Sequence, residues 1–297
     1  MITEQTLTAL TTPIYATLII AEIAVSFYGK KELYSAKDTI ANIYLTTVYM
    51  FFDLMTRGFS LMILSYFFRF HIIDFNKNMI YWVLLIVFQD FLYWLMHYMD
   101  HHCRLFWAAH VVHHSSEEFN LSVGIRASVL QPLYKFIYFV PLALMGFECA
   151  DIYLVYAITQ GYGILVHTQL INRLPYWDYI FVSPSHHRVH HASNVQYLDK
   201  NMGMLFIFWD KIFGTYEQEN PNEQIQYGLT NAPNLSFPTN IFLHEMKEIR
   251  IDLRKSEQWK HKLMYIFGPP GWSHDGSSQT TRQLRNDNGT NDKFCDK

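Results

Sequence analysis

The chain has 297 residues, enough for one large domain or two small ones. Half of it is hydrophobic and 17% aromatic, while only 16% is charged, against roughly 25% in soluble domains, an imbalance that points to the bilayer. A net charge of −3 gives no reason to expect nucleic acid as a partner, and the scattered Cys103, Cys149 and Cys295, with no CxxC, indicate neither a disulfide framework nor a thiolate zinc site.

Residues 1–12 carry no Lys or Arg, so the first apolar run reads as a retained helix rather than a cleaved signal. That run, Pro13 to Tyr28, is interrupted by Glu22 and ends at Gly29-Lys30-Lys31. Ile40 to Phe68 is long and aromatic, with Asp53 and Arg57 spaced by four as an internal ion pair. Ile80 to Leu95 contains Gln89 and Asp90 and runs straight into His97. Leu130 to Phe147 and Ile152 to Val166 form a pair joined by a short turn. A crossing helix needs about 20 apolar residues, so the shorter of these runs fit a re-entrant or interfacial position. From Gly214 the chain is polar, with a basic amphipathic stretch from Ile241 to Trp259 and a Ser-, Asp- and Asn-rich tail over 273–297 that reads as disordered.

The fold class that follows is all-α: an integral membrane bundle of about four to five membrane helices under a cytosolic, histidine-rich cap. The organisation reads as 1–79 N-terminal membrane helices, 80–217 catalytic domain, 218–272 cytosolic segment and 273–297 tail. If 80–96 crosses the bilayer once and 130–168 goes there and back, 97–128 and 169–297 share one side. The Lys30, Lys31 and Lys37 loop then lies on that side too, which positive-inside bias makes the cytoplasm. Arg69 and Lys77, in the 69–79 loop, run against that assignment.

The 15 histidines are crowded into short stretches. His97 and His101 form HxxxH, two imidazoles on one helix face about 40° apart. His110, His113 and His114 form HxxHH, and His186, His187, His190 and His191 form HHxxHH after Ser183-Pro184-Ser185, a helix-start signal. His167 ends the last apolar run. One such pair alone is usually a solvated surface feature. Eight or nine imidazoles at one membrane face exceed what a single ion takes and suit two. Imidazole accepts iron, zinc and copper alike, so ligand type does not choose the metal. Asp90 lies seven residues before His97 on the same face, inside an apolar run, either as a functional group or as an interhelical hydrogen bond. Glu117, Glu118, Asn120, Asn201 and Asp210 flank the clusters as candidates to orient the imidazoles from outside. Ser115-Ser116-Glu117-Glu118 equally fits a helix capping box.

The order HxxxH, HxxHH, HHxxHH resembles the fatty acid hydroxylase and sterol desaturase superfamily of membrane di-iron oxygenases. Asp90-Phe91-Leu92-Tyr93-Trp94-Leu95-Met96-His97, Phe106-Trp107-Ala108-Ala109-His110, Pro184-Ser185-His186-His187-Arg188-Val189-His190-His191 and Gly268-Pro269-Pro270-Gly271-Trp272 resemble its ether-lipid (alkylglycerol) branch over about residues 80–275. The resemblance implies that His97, His101, His110, His113, His114, His187, His190 and His191 are metal ligands, with His167 and His186 joining them. It also implies two iron ions, for which zinc can substitute in purified protein, together with molecular oxygen, a membrane lipid substrate and an external electron donor, protein or small molecule. His102 stands directly after the second His of HxxxH, where the ether-lipid enzymes carry Glu, a position tied to their pterin reductant. A pterin stays among the candidate electron donors, with His102 in place of that Glu as the departure that counts against it. Tyr98 likewise replaces the usual Arg after the first His.

The expected function is hydroxylation of a lipid C–H bond, whether of a fatty acid, a sterol or an ether lipid. Lipid desaturation on the same scaffold stays open, because substrate placement decides between them. A non-enzymatic membrane metal carrier also stays open, though carriers usually hold ligands near the midplane and these histidines sit at helix ends. Because imidazole must be neutral to bind metal, occupancy is expected to fall below about pH 6.5.

Overall fold

The computed structural model describes residues 3–230 and 238–289. Helix α1 (Glu4–Tyr28) is followed by α2 (Ala36–Phe68) and α3 (Met79–His102), and these three are long and apolar enough to cross a membrane. Each starts on a side-chain cap. Thr3, Ser35 and Asn78 accept the free N–H groups of Thr6, Asp38 and Tyr81. The share of each apolar stretch that is buried rises from 11% in α1 and 17% in α2 to 39% in α3, which makes α3 the central scaffold. The outer helices turn Ile14, Ile20, Phe27, Leu54 and Met55 outward, the arrangement expected of lipid-facing surface.

After α4 (Arg104–His114) and the single turn α5 (Leu121–Gly124) come the paired helices α6 (Lys135–Met145) and α7 (Cys149–Leu165). At 1.5 Å per residue they are about 17 and about 26 Å long, short of a bilayer core of about 30 Å. Gly146 ends α6 at φ +109°, and a Cβ there would meet the Ile73 carbonyl oxygen at 2.0 Å, so only glycine fits this turn. Leu85, Tyr93, Met96, Phe139, Leu142 and Ile152 pack into the main core between α3, α6 and α7.

The expected Asp53–Arg57 pair is present at 2.6 Å and extends further than the spacing showed. Lys135 reaches Asp53 at 2.6 Å and Glu4 reaches Arg57 at 2.9 Å, so two cations and two carboxylates from α1, α2 and α6 neutralise one another inside the bundle.

The cap consists of α8 (Pro184–His190), α9 (Phe208–Phe213), α10 (Pro238–Asp252), α11 (Trp259–Phe267) and α12 (Thr281–Asp287). Arg104 anchors it through Glu245 at 2.7 Å and Asp252 at 2.6 Å. Against the expected disorder from 273, Thr280 and Gln283 form a capping box for α12, and Arg285 donates to the Leu198 carbonyl. Residues 290–297 of that tail lie outside the described residues. Among the described residues there is no β-strand, only two isolated bridges.

Candidate metal centre

Successive residues on a helix point about 100° apart, and this spacing sorts the histidines. In α4, His110 and His114 share a face, while the intervening His113 points to the neighbouring one. In α8 and its C-cap, His187 and His191 share a face and His190 points away. Nitrogens of His97, His101, His110, His114 and His190 therefore gather in one group, and those of His113, His167, His187 and His191 in a second. Within each group the nitrogens lie within 4.8 Å of one another. Eight of these nine residues are buried and His113 is half-buried. α4 and α8 each serve both groups. α3 supplies only the first and the end of α7 only the second.

Backbone carbonyls set the tautomers. His97 Nδ1–H donates to Met202 at 2.7 Å, His113 to Arg126 at 2.7 Å, His167 to Gly163 at 2.6 Å and His190 to Lys200 at 2.9 Å. A carbonyl only accepts, so each Nδ1 carries the proton and each Nε2 presents a lone pair inward. Those lone pairs converge. His167 Nε2 lies 3.0 Å from His187 Nε2, 3.1 Å from His191 Nε2 and 3.3 Å from His113 Nε2. In the first group His110 Nε2 lies 3.0 Å from His97 Nε2 and 3.1 Å from His114 Nε2, and the buried Nε2 atoms of His101 and His190 have no hydrogen-bond partner. Acceptors facing acceptors in a buried site call for cations.

Protonation does not supply that charge. Burial, then neighbouring imidazoles, hold His110, His114, His187, His190 and His191 well below the ordinary histidine pKa. His113 is lowered to about 4, again mainly by burial. Converging buried nitrogen donors in sets of five and four fit two transition-metal ions of the imidazole-binding kind.

His186 stands outside both groups. Its Nδ1 accepts the Ser183 N–H at 3.3 Å, closing the capping box that starts α8. His102 also turns aside, its Nδ1 on the Tyr98 carbonyl at 2.8 Å and its ring stacked on Tyr98 at 3.8 Å.

Hydrogen bonds give the flanking polar residues indirect roles rather than contact with the rings. Asp210 accepts from the N–H groups of Met202 and Gly203, from Trp94 Nε1 and from the Thr215 hydroxyl, holding the loop whose Met202 carbonyl orients His97. Asp90 accepts from the N–H groups of Leu205 and Phe206 and from Trp209 Nε1, tying the same loop to α3. Asn201 bonds the carbonyls of His186 and Glu217. Asn120 caps α5 beside Phe119, whose ring stacks on His167 at 5.4 Å. Glu118 accepts from the Ser35 N–H, and Glu117 packs beside Gly228. Two carboxylates that sequence reasoning passed over do face rings. Asp199 meets His101 Nδ1 at 3.1 Å, and Asp100 lies 3.7 Å from His110 Nδ1. Asp100 was visible between His97 and His101, whereas the carbonyl partners leave no trace in a sequence.

A cavity of about 710 Å³ opens onto the first group, lined by His101, His114 and His190 and by Asp199, Glu245 and Asp252 of the cap.

The fatty acid hydroxylase family matches residues 82–215. Among curated proteins, human alkylglycerol monooxygenase is 41% identical over 184 residues, 62% of this chain and 40% of that protein. The alkylglycerol monooxygenase of Caenorhabditis elegans is 34% identical over 201 residues, 64% of this chain and 39% of that protein. Ornithine lipid hydroxylase OlsE of Rhizobium tropici is 27% identical over 149 residues, 50% of this chain and 45% of that protein. The chain spans about two fifths of the length of the alkylglycerol monooxygenases it matches. No solved structure matches it. The stretch that matches the fatty acid hydroxylase family, residues 82–215, contains α4, α7, α8 and most of α3, the helices that bring all nine clustered histidines together.

Proposed function

We propose that the chain is a membrane di-iron oxygenase that hydroxylates a lipid C–H bond with molecular oxygen. The observation that carries this reading is the convergence of nine imidazoles, eight of them buried, into sets of five and four at the end of a membrane helix. His97, His101, His110, His114 and His190 would hold one iron, and His113, His167, His187 and His191 the other. Bound iron supplies oxygen activation, with electrons from an external donor. The chain's own residues orient and enclose. Met202, Arg126, Gly163 and Lys200 fix the imidazole tautomers through their carbonyls, and Phe119 covers the four-histidine group. The apolar helices allow an alkyl or acyl chain to approach from the bilayer. The lipid classes to test first are ether lipids and acyl lipids, following the names of the relatives.

The cytoplasmic orientation of the site is part of the same proposal. The basic stretch Lys30 to Lys37, which spans the α1–α2 connection and the first turn of α2, packs against the segment around α5 that follows the α4 histidines. Asn120 donates to the Leu33 carbonyl at 2.6 Å, and Arg126 pairs with Asp38 at 2.8 Å. A basic segment on the same side as the histidines supports placing both inside the cell.

The test is iron quantification on the purified full chain, coupled to oxygen uptake with alkylglycerols and long-chain fatty acids. Two irons per chain and a hydroxylated or aldehyde product are expected. A new double bond would instead make it a desaturase, and tightly bound metal without lipid-dependent oxygen uptake would end the oxygenase reading.

A further inference from the structure

We infer that Glu22, on the N-terminal helix and outside the matched domain, is a positioning residue for the four-histidine group. The inference rests on reading that group as a metal site.

α1 is otherwise a lipid-facing helix, with Ile20 66% exposed and Val25 47% exposed, yet Glu22 is only 3% exposed. A buried ionisable group in a membrane helix is retained for a specific partner, and Glu22 has three. Its carboxylate accepts from the Tyr34 hydroxyl at 2.5 Å, from the Leu121 N–H at 2.7 Å and from the Thr168 hydroxyl. The last two lie on the two walls of the four-histidine group. Thr168 directly follows His167. Leu121 begins α5, two residues after Phe119, whose ring covers His167, His187 and His191. Gln169 donates to the Phe119 carbonyl at 2.8 Å and joins the same two walls. On its other side the His167–Thr168 segment is held from α8, where Arg188 donates to the Thr168 carbonyl at 3.1 Å.

Glu22 therefore closes a clamp around His167, the member whose Nε2 lies within 3.3 Å of all three others in its group. The five-histidine group is held by other partners, Met202, Asp199 and Lys200 among them. Loss of Glu22 leaves the Leu121 N–H and the Thr168 hydroxyl without their acceptor and loosens one group only. Changes to groups that orient ligands cost about 10–100-fold in metal affinity.

The test is anaerobic titration of the full-length apo-protein with ferrous iron, and separately with cobalt(II), whose absorption reports each site. The wild type is expected to take two ions. Glu22→Ala is expected to keep one at wild-type affinity and to bind the second about 10–100-fold more weakly. Glu22→Gln is expected to recover part of that loss, because its amide oxygen still accepts the Leu121 N–H. Thr168→Val, which removes one arm of the clamp, carries the test if Glu22→Ala does not fold, and is expected to weaken the second ion alone. Two ions at wild-type affinity in these variants, or equal weakening of both, overturns the assignment, since a merely structural residue spares both sites or damages both. A wild type that takes fewer than two ions overturns the two-ion reading and this inference with it.

Discussion

His113 and His167 face each other through nitrogens 3.3 Å apart, and neither can donate, because the Nδ1–H of each is committed to a backbone carbonyl, Arg126 for His113 and Gly163 for His167. Two lone pairs at that separation repel unless a cation lies between them, and burial makes a proton a poor candidate. This pair expresses the logic of the whole centre: the backbone spends the outer nitrogens so that the inner ones are left for metal.

Neighbouring histidines should therefore fail differently. His113→Ala removes a member of the four-nitrogen group, and His114→Ala a member of the five-nitrogen group. Each is expected to lower iron from about two to about one per chain and to cut lipid oxidation about 100-fold or more, since an ion pair acts as a unit. Cobalt(II) spectra of the two variants should differ, because different sites survive. Identical spectra would contradict the split.

Asp210 gives a test of indirect support. It is fully buried and accepts from Met202, Gly203, Trp94 and Thr215. Asp210→Ala strands several buried donors at about 1–3 kcal/mol each. Thermal unfolding should show a loss of about 3 kcal/mol or more, and metal titration about tenfold weaker binding at the group containing His97. Unchanged metal affinity in a destabilised variant would limit Asp210 to a packing role.

The charge network inside the bundle calls for a double-mutant cycle. Asp53→Ala leaves Lys135 buried beside Tyr49 without its carboxylate, and a loss of about 3–5 kcal/mol is expected. Asp53→Leu combined with Lys135→Met removes both charges and should recover most of that loss. Chemical or thermal unfolding in detergent measures it, and simple additivity of the two changes would refute the coupling.

The pH dependence has a defined sign. Folded-state pKa values of the clustered α4 histidines lie below the unfolded value of about 6.5. Between about pH 6.5 and about pH 4, the folded pKa of His113, the unfolded chain takes up protons that the folded chain refuses. The apo-protein should lose stability as pH falls through that window and show no such loss above it. Metal loss should start well below the pH of about 6.5 expected of ordinary histidines, because burial keeps the nitrogens available. Apo and iron-loaded melting curves from pH 8 to pH 5 check this, and an apo-protein whose melting point rises on acidification would contradict it.

Much of the fold was legible from residue order alone. Apolar runs marked α1, α2 and α3, and the break that begins at Gly146 separated α6 from α7. Hydropathy is a local property, and long helices declare it. The order HxxxH, HxxHH, HHxxHH likewise marked the cluster, because helical spacing alone places i and i+4 on one face. Less legible was α12, whose polar composition resembles a disordered tail until Arg285 meets the Leu198 carbonyl.

What the sequence by itself determined is that this is an apolar helical chain with histidines grouped at helix ends, since both features follow from residue type and local spacing. Only the tertiary structure decided how those histidines divide. It brought the end of α7 against α8, sent His186 to cap a helix and drew His167 into the second group. It also turned the backbone carbonyls of Met202, Arg126 and Lys200 toward imidazoles far away in sequence or on another element. The physical reason is that a metal cage is made of distances between elements, and those distances depend on how helices pack, which residue order constrains only weakly.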